Sequence, residues 1–271
     1  MRIVLATCRS KPALTAGDAL LAAELERAGA TVVAAPWDTI TPAGEHPVTV
    51  CLRSTWDYHR RWAEFRAWIA GFANRPDRLW NPAETVLWNA DKLYLRDLGD
   101  AGIALPRTLW FEPGEPPDCN AVLREWNLTR AVLKPRVSAT AFGTYLISAG
   151  RTLGDEEWEP VTQTGGLIQA FVPEVESRGE ISLVHVDGGF SHAVRKRPAS
   201  GDFRVQGDFG GTVEEVTPSR SVRDFGGSVL AAVSRRWLYA RVDLVETDRG
   251  PVLMELELIE PDLFLTPAAA A

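Results

Sequence analysis

The most constraining feature of the 271-residue sequence is a pair of apolar segments near its C-terminus, YARVDLVE and PVLMELEL, separated by TDRG. An Asp-Arg-Gly turn between two runs of strand-forming residues predicts a β-hairpin. Under strict alternation, the second strand has Leu253, Glu255 and Glu257 on one face. The other face then carries Val252, Met254, Leu256 and Leu258. The hairpin is therefore expected to have one acidic face and one apolar face.

The acidic face of this hairpin collects three carboxylates. Asp243 in the first strand is expected to lie opposite Glu255 and Glu257 in the second. Like charges this close need either a cation or a carboxyl that stays protonated, and Mg²⁺ prefers carboxylate oxygens, water and phosphate. The pattern predicts a metal site at these three residues, although a solvent-facing edge strand could have the same sequence. Glu260 follows the end of the alternation and is predicted to be structural or to support the site from behind.

The composition indicates an ordinary globular protein, with 45% hydrophobic and 24% charged residues. A net charge of -7, with the basic residues scattered, argues against a nucleic-acid surface. Three cysteines lack metal-ligand spacing, and no apolar run approaches the ~20 residues of a membrane span. We therefore expect a cytoplasmic protein without nucleic-acid or membrane partners. Its oligomeric state is left open, and a homo-oligomer is one option.

Three segments with different strand and helix patterns predict an α/β and α+β fold. Residues 1–85 alternate strands with helices, which predicts an N-terminal α/β domain with a parallel sheet on the substrate side. Residues 86–168 combine helices with antiparallel-looking strands, as in a small subdomain that forms a lid. Residues 169–271 form a C-terminal subdomain that carries the acidic hairpin. No G-x-G-x-x-G follows the first strand, so a dinucleotide is not implied.

A polar segment follows the third predicted strand of the N-terminal domain. It contains Arg53, Ser54, Thr55, Asp57 and Tyr58. Ligands bind beyond the carboxyl ends of parallel strands, so this segment is a candidate substrate site. Ser54 or Thr55 could instead serve only as the N-cap of the next helix.

A second candidate site lies in the middle of the chain. Lys134 stands near the end of the predicted strand RAVLKP, and the loop after it contains Ser138, Thr140, Gly143 and Thr144. Such a loop can offer backbone N–H groups and hydroxyls to phosphates while the lysine supplies positive charge. The loop lacks the Walker pattern and could equally be a structural turn.

The order of these motifs resembles that of the ATP-grasp superfamily. It runs from Lys92 at a helix start through Lys134 and its loop to QAFV, RGE, RKRP, GDFR and the E-x-E strand. Within the superfamily, the chain is similar to the glutathione-synthetase-like ATP-binding proteins that include the D-cycloserine-forming cyclo-ligase. The resemblance implies an ATP-grasp fold, with an N-terminal parallel-sheet domain and two α+β lobes that enclose ATP.

The resemblance also implies a role for each matching residue. Lys92 and Lys134 would contact ATP, and the loop from Ser138 to Thr144 would close over the triphosphate. The hinge would bind adenine through Gln169, Ala170, Phe171 and Val172, and Glu180 would hold the ribose. Lys196 and Arg204 would act on the transferring group, while Asp243, Glu255 and Glu257 would bind Mg²⁺. Relatives often have asparagine at the third metal position, so Glu257 is a departure that leaves the number of metal ions open.

The activity implied by the resemblance is that of an ATP- and Mg²⁺-dependent ligase. It would activate a carboxylate of an amino-acid-like substrate as an acyl phosphate, which an amine attacks with release of ADP and phosphate. When both groups lie in one molecule the product is a ring, as in cycloserine formation for antibiotic biosynthesis, and Arg53 and its neighbours would orient the substrate. The alternatives are a small-molecule kinase and a non-catalytic nucleotide-binding protein.

Overall fold

A computed structural model describes residues 1–42, 48–199, 201–202, 204–205 and 210–265, and the chain forms three β-sheets. The first sheet is parallel, with the strand order β2-β1-β3-β4, which confirms the parallel sheet predicted for the N-terminal domain. Its strands are β1 (Arg2–Thr7), β2 (Thr31–Pro36), β3 (Val48–Leu52) and β4 (Leu79–Trp80), with helices α1 (Ala16–Arg27) and α2 (Trp62–Ala70). Phe65 and Ile69 of α2 are fully buried against this sheet.

Two short helices follow the first sheet, α3 (Ala83–Ala90) and α4 (Tyr94–Asp100). The segment DKLYLRDLGDAGI predicts a single helix over residues 91–103, so α3 is an addition to the sequence prediction. Tyr94, Leu95 and Leu98 of α4 are buried in the core cluster that also contains Leu183 and Val242. Helix α4 lies within the predicted lid segment, but its apolar face packs on the third sheet.

The second sheet is antiparallel, with the strand order β5-β8-β6-β7. Its strands are β5 (Thr108–Phe111), β6 (Arg130–Pro135), β7 (Tyr145–Ser148) and β8 (Gly166–Ala170). Helices α5 (Cys119–Trp126) and α6 (Asp155–Trp158) belong to the same part of the chain. Asp118 caps α5 by accepting from two backbone N–H groups, and Asn127 ends the helix with a left-handed backbone.

The third sheet is antiparallel, with the strand order β11-β10-β9-β12-β13. It follows helix α7 (Glu174–Arg178) and contains β9 (Glu180–Val186), β10 (Gly189–Arg197), β11 (Thr212–Glu215), β12 (Tyr239–Thr247) and β13 (Gly250–Glu257). Helix α8 (Arg220–Ala232) joins β11 to β12 and buries Val229 and Leu230 in the same core as α4. The predicted hairpin is present between β12 and β13. Within the described ranges, no helix is long and apolar enough to cross a membrane.

Strand β13 departs from the strict alternation that the sequence suggests. Asp243 pairs with Glu255 and Leu244 pairs with Leu253, so Met254 is the extra residue of a β-bulge. The bulge shifts the phase of the strand by one residue. The predicted face of Leu253 is therefore wrong, because this side chain lies in the core with Leu244 and not beside Glu255.

Two buried polar side chains connect the first and third sheets. The amide nitrogen of Asn81 donates to the carbonyl oxygens of Tyr239 and Leu258 at 2.9 and 2.8 Å. The hydroxyl of Tyr239 lies within 3.1 Å of three carbonyl oxygens, those of Leu52, Trp80 and Ile259. Buried backbone groups must be paired. These contacts therefore hold the segment after β13 against the N-terminal domain.

Candidate functional site

A cavity of about 400 Å³ lies where the three sheets meet. The first domain contributes Lys11, Trp56 and Tyr58 to its wall. The second sheet and its connections contribute Lys134, Thr140 and Phe171, and the third contributes Lys196, Glu255 and Glu257. Charged groups of both signs therefore meet in one cavity, as expected of a ligand site.

Asp243 is the most strongly engaged carboxylate of the predicted metal site. It lies opposite Glu255, as expected, but its two oxygens accept hydrogen bonds from Ser182 at 2.6 Å, from Lys196 at 2.9 Å and twice from Arg241 at 2.9 Å. Burial alone would raise the pKa of Asp243, but Arg241 and Lys196 hold it well below its ordinary value. Four hydrogen bonds use all the lone-pair positions of a carboxylate.

Glu255 projects into the cavity and is one-third exposed. It accepts a hydrogen bond from Lys92 at 2.6 Å. Burial works to raise the pKa of Glu255, but Lys92 and Lys134 lower it below its ordinary value. Burial lowers the pKa of Lys134, whose ammonium donates to the side chain of Gln169 at 2.9 Å. The two lysines predicted to bind ATP thus surround one carboxylate.

Glu257 is held by Arg241, an arginine that the sequence interpretation overlooked. Burial and the charges of Asp243 and Glu255 outweigh Arg241 and raise the pKa of Glu257 to about 7. The available signal was position: an arginine two residues before Asp243 in a strand lies on the same face of the sheet.

The donor set of this face fits Mg²⁺ through two glutamates. In the described part of the chain, no three acidic, histidine or cysteine side chains are close enough to hold a metal ion. Glu255 and Glu257 each bind a cation through one oxygen, and their second oxygens have no hydrogen-bond partner among the described residues. Mg²⁺ commonly takes one or two carboxylates and completes its shell with water and phosphate oxygens. Asp243 could join only if Arg241 or Lys196 released it.

Lys196 links the metal face to the position predicted for the ribose. Its ammonium pairs with Glu180 at 2.6 Å and with Asp243 at 2.9 Å. Burial works against the charge of Lys196, but both carboxylates raise its pKa above the ordinary value. Arg204 also lines the cavity and binds Asp202 at 2.7 Å. Part of the glycine-containing loop around Arg204, residues 200, 203 and 206–209, lies outside the described residues.

The predicted hinge divides into two pairs of residues. Phe171 and Val172 line the cavity. Gln169 is 1% exposed and holds Lys134, and the backbone N–H of Ala170 donates to Arg107. Only Phe171 and Val172 can therefore contact a ligand directly in this arrangement.

The small-residue loop after β6 is closed against the N-terminal domain. Ser138, Thr140 and Thr144 line the cavity, and the Tyr58 hydroxyl donates to the carbonyl of Ser138 at 3.4 Å. The ring of Phe142 lies 4.8 Å from that of His59 and 5.2 Å from the guanidinium of Arg60.

Gly143 fixes the return of this loop but does not line the cavity. Its φ is +67°, and an added Cβ would lie 2.6 Å from Pro160 and 2.7 Å from Pro135. Glycine is needed here both for its left-handed backbone and for the lack of space.

The polar segment after β3 is mostly turned away from the cavity, contrary to prediction. Arg53 is 2% exposed and donates to Asp18 at 2.7 Å and to the carbonyl of Pro261 at 2.8 Å. Ser54 and Thr55 are fully buried, and they cap no helix because Arg61 is the N-cap of α2. None of these three side chains lines the cavity, so their predicted substrate contacts stay predictions that this arrangement does not support.

Of the other two residues in this segment, one reaches the cavity. Asp57 accepts a hydrogen bond from the indole of Trp37 at 2.8 Å and does not line the cavity, so its predicted substrate contact also stays an unsupported prediction. Tyr58 does line it. Trp56 of the same segment also lines the cavity, and the ammonium of Lys11, which the sequence interpretation overlooked, lies 4.6 Å from its ring centre. Lys11 comes from the loop at the carboxyl end of β1, a parallel strand, which is the signal that could have identified it.

Comparisons with known protein families match two parts of the chain. Residues 101–261 match the RimK-like ATP-grasp domain, which is more than half of the chain. Residues 3–81 match the N-terminal domain of D-cycloserine synthetase DcsG.

Individual relatives support the same grouping. The cycloserine biosynthesis protein DcsG of Streptomyces lavendulae is 29% identical over 256 residues, covering 88% of this chain and 84% of that protein. A probable alpha-L-glutamate ligase of Xanthomonas campestris pv. campestris (strain B100) is 28% identical over 65% of this chain and 60% of its own length.

Solved structures share the fold. The crystal structure of D-cycloserine synthetase DcsG superposes with a TM-score of 0.81 at 26% identity, covering 100% of this chain and 96% of that one. The D-alanine–D-alanine ligase from Bacillus anthracis complexed with ATP gives a TM-score of 0.64 at 16% identity, covering 96% of this chain and 86% of that one.

Proposed function

The chain belongs to the RimK-like ATP-grasp family, and we propose that it is a ligase that uses Mg²⁺-ATP to join a carboxylate to an amine. The observation that supports this most directly is the cavity, in which Lys92, Lys134 and Lys196 surround two partly exposed glutamates. Its named relatives are a cycloserine biosynthesis protein and a probable glutamate ligase. The substrate is proposed to be small and amino-acid-like.

The reaction has two steps. A substrate carboxylate oxygen attacks the γ-phosphorus of ATP, the bond to the ADP oxygen breaks, and an acyl phosphate forms. The amine nitrogen then attacks the acyl carbon, the bond to phosphate breaks, and the amine loses a proton. Both steps build negative charge on phosphate oxygens, and fixed cations in a closed site stabilise that charge.

We propose that Glu255 and Glu257 hold the metal and that Asp243 organises the cations around it. Mg²⁺, when bound, neutralises the phosphate oxygens of ATP. Asp243 keeps Lys196 and Arg241 beside the two glutamates through hydrogen bonds of 2.9 Å. Lys92 is already beside Glu255 at 2.6 Å. Positive groups are thus in place before a triphosphate arrives.

The nucleotide is proposed to lie along the second and third sheets. Phe171 and Val172 would contact the adenine, and Glu180, which lines the cavity beside Lys196, would accept from the ribose hydroxyls. Lys134 lies near Glu255 but forms no ion pair within 4 Å with a carboxylate of the described residues, and it donates to Gln169. It is therefore available to a phosphate. Arg204 and Lys196 would contact the transferring phosphoryl group.

The proposed function predicts ADP release that depends on a particular amino acid or derivative. The purified protein should release ADP with Mg²⁺ and ATP when the right member of a panel is added, and the panel should include O-ureidoserine. Mass spectrometry of the product separates ring closure, ligation of two molecules and simple phosphorylation. A stable phosphorylated product would support a kinase, and ATP binding without turnover would contradict an enzyme.

The small-residue loop after β6 gives a separate prediction. In Phe142→Ala, the loop loses the contacts with His59 and Arg60 that hold it closed. Water can then reach and hydrolyse the acyl phosphate. We therefore expect the ratio of ADP released to amide formed to rise from one in the wild type to about 10 in the variant. The ratio of ADP to product measures this. Phe190→Ala, on the exposed hairpin of β9 and β10, is the control, and an unchanged ratio in Phe142→Ala would contradict the role of the loop.

A further inference from the structure

Glu260 is a nearly buried carboxylate that faces the cavity just beyond the acidic strand. It is 9% exposed and lines the same cavity as Glu257. Its own backbone N–H favours the ionised form. No other residue of the described chain donates a hydrogen bond to it or forms an ion pair with it. A buried carboxylate without a cation is costly and tends to take up a proton, so a positively charged ligand at this position would favour its ionised form.

The neighbouring charges do not supply the missing cation. Burial, and after it the negative charge of Glu257, raises the pKa of Glu260 to about 8. Arg241 attracts Glu260 from a distance, but its own hydrogen bonds go to Asp243, to Glu257 and to the carbonyl of Asp262. In the described ranges, Glu260 also joins no group of three side chains that could hold a metal. A ligand cation therefore fits the position better than a second metal ion.

Glu260 lies at the end of the cavity that the N-terminal domain forms. Tyr58 lines the same cavity, and the pKa of its hydroxyl is raised by burial and then by the charge of Glu260. Arg53 donates to the carbonyl of Pro261 at 2.8 Å and so fixes the backbone beside Glu260. The nucleotide is proposed to lie against the other two sheets. Glu260 is therefore on the substrate side.

We propose that Glu260 binds a free ammonium group of the substrate and so selects amino acids over their desamino counterparts. The inference rests on the proposed ligase function and adds a substrate class, a small acid that carries a cationic amine. This ammonium is a recognition group and is separate from the nitrogen that attacks the acyl phosphate, which must be uncharged. A hydrogen bond between two charged groups is stronger than a neutral one and also fixes orientation. The carboxylate of the substrate is then directed toward the phosphate-binding lysines.

The test measures binding without turnover. Calorimetry on the complex with Mg²⁺ and a non-hydrolysable ATP analogue uses three probes, serine, glutamate and O-ureidoserine, each beside its desamino counterpart. The wild type should bind at least one amine probe about 10- to 100-fold more tightly than its counterpart. Glu260→Gln should lose this preference, Glu260→Asp should recover part of it, and both should bind the ATP analogue within about twofold of the wild type. Glu26→Gln, at an exposed position on α1 outside the cavity, should retain it.

The outcomes separate this inference from the ligase function. Equal binding of amine and desamino probes by the wild type, or an unchanged preference in Glu260→Gln, overturns the role of Glu260 while ADP release continues. If Glu260→Gln does not fold, the inference is tested by the amine preference of the wild type and by its reduction in Glu260→Asp. If the wild type binds none of the amine probes and releases no ADP with any acid of the panel, both the inference and the proposed function fail.

Discussion

Replacing Glu255 by glutamine is expected to lower kcat by about 10²- to 10³-fold. The amide has nearly the same shape, but it removes the charge that pairs with Lys92 at 2.6 Å and one of the two oxygens proposed for Mg²⁺. The variant should show a lower kcat and should need a higher Mg²⁺ concentration for half-maximal rate. ADP release measured over a range of Mg²⁺ concentrations tests both.

The matched control for this variant is Glu26→Gln. Glu26 is exposed on α1, outside the cavity, so the same chemical change there should leave the rate within about twofold. Wild-type activity in the double variant Glu255→Gln, Glu257→Gln would remove the basis for the metal assignment. Loss of ATP binding without any change in Mg²⁺ dependence would assign Glu255 to positioning Lys92 instead.

Replacing Arg53 by methionine is expected to destabilise the fold by about 3–5 kcal/mol. Arg53 and Asp18 form an ion pair in which both side chains are at most 4% exposed, so the change leaves a buried carboxylate without its cation. It also removes the hydrogen bond to Pro261 that holds the segment after β13. Thermal unfolding should show a midpoint lower by about 10 °C.

A double variant separates the ion pair from the substrate contact first predicted for Arg53. Asp18→Asn in the Arg53→Met background removes the unpaired charge, so it should recover part of the lost stability. If Arg53→Met alone had wild-type stability and only a raised substrate KM, the structural role of Arg53 would be contradicted. Such a result would point to direct substrate binding by Arg53.

The features predicted correctly from the sequence depend on local patterns. The turn between β12 and β13 and the hydrophobic alternation of both strands placed Asp243 opposite Glu255. The order of the motifs predicted the ATP-grasp fold, which the family match and the shared structures confirm. The roles of the individual site residues stay predictions until they are tested.

The features that were missed depend on contacts between distant parts of the chain. The bulge at Met254 arises from the pairing of β13 with β12, and no residue type in the strand signals it. Arg53 turns away from the cavity because Pro261, 208 residues further along the chain, offers it a carbonyl oxygen. Ser54 and Thr55 are buried in the same region. Glu260 was set aside because the alternation ends before it, yet the chain after β13 returns it to the cavity wall.

The segment after β13 has a consequence for how such enzymes can be recombined. The two family matches end and begin at residues 81 and 101, which suggests modules that could be exchanged between relatives. However, Arg53 and Asn81 of the first module bind the backbone at Pro261 and Leu258 in the second. A chimaera that takes residues 3–81 from another family member must therefore also carry a matching C-terminal segment. Otherwise the wall that contains Glu260 loses its support, and a substrate preference would not transfer with the first module alone.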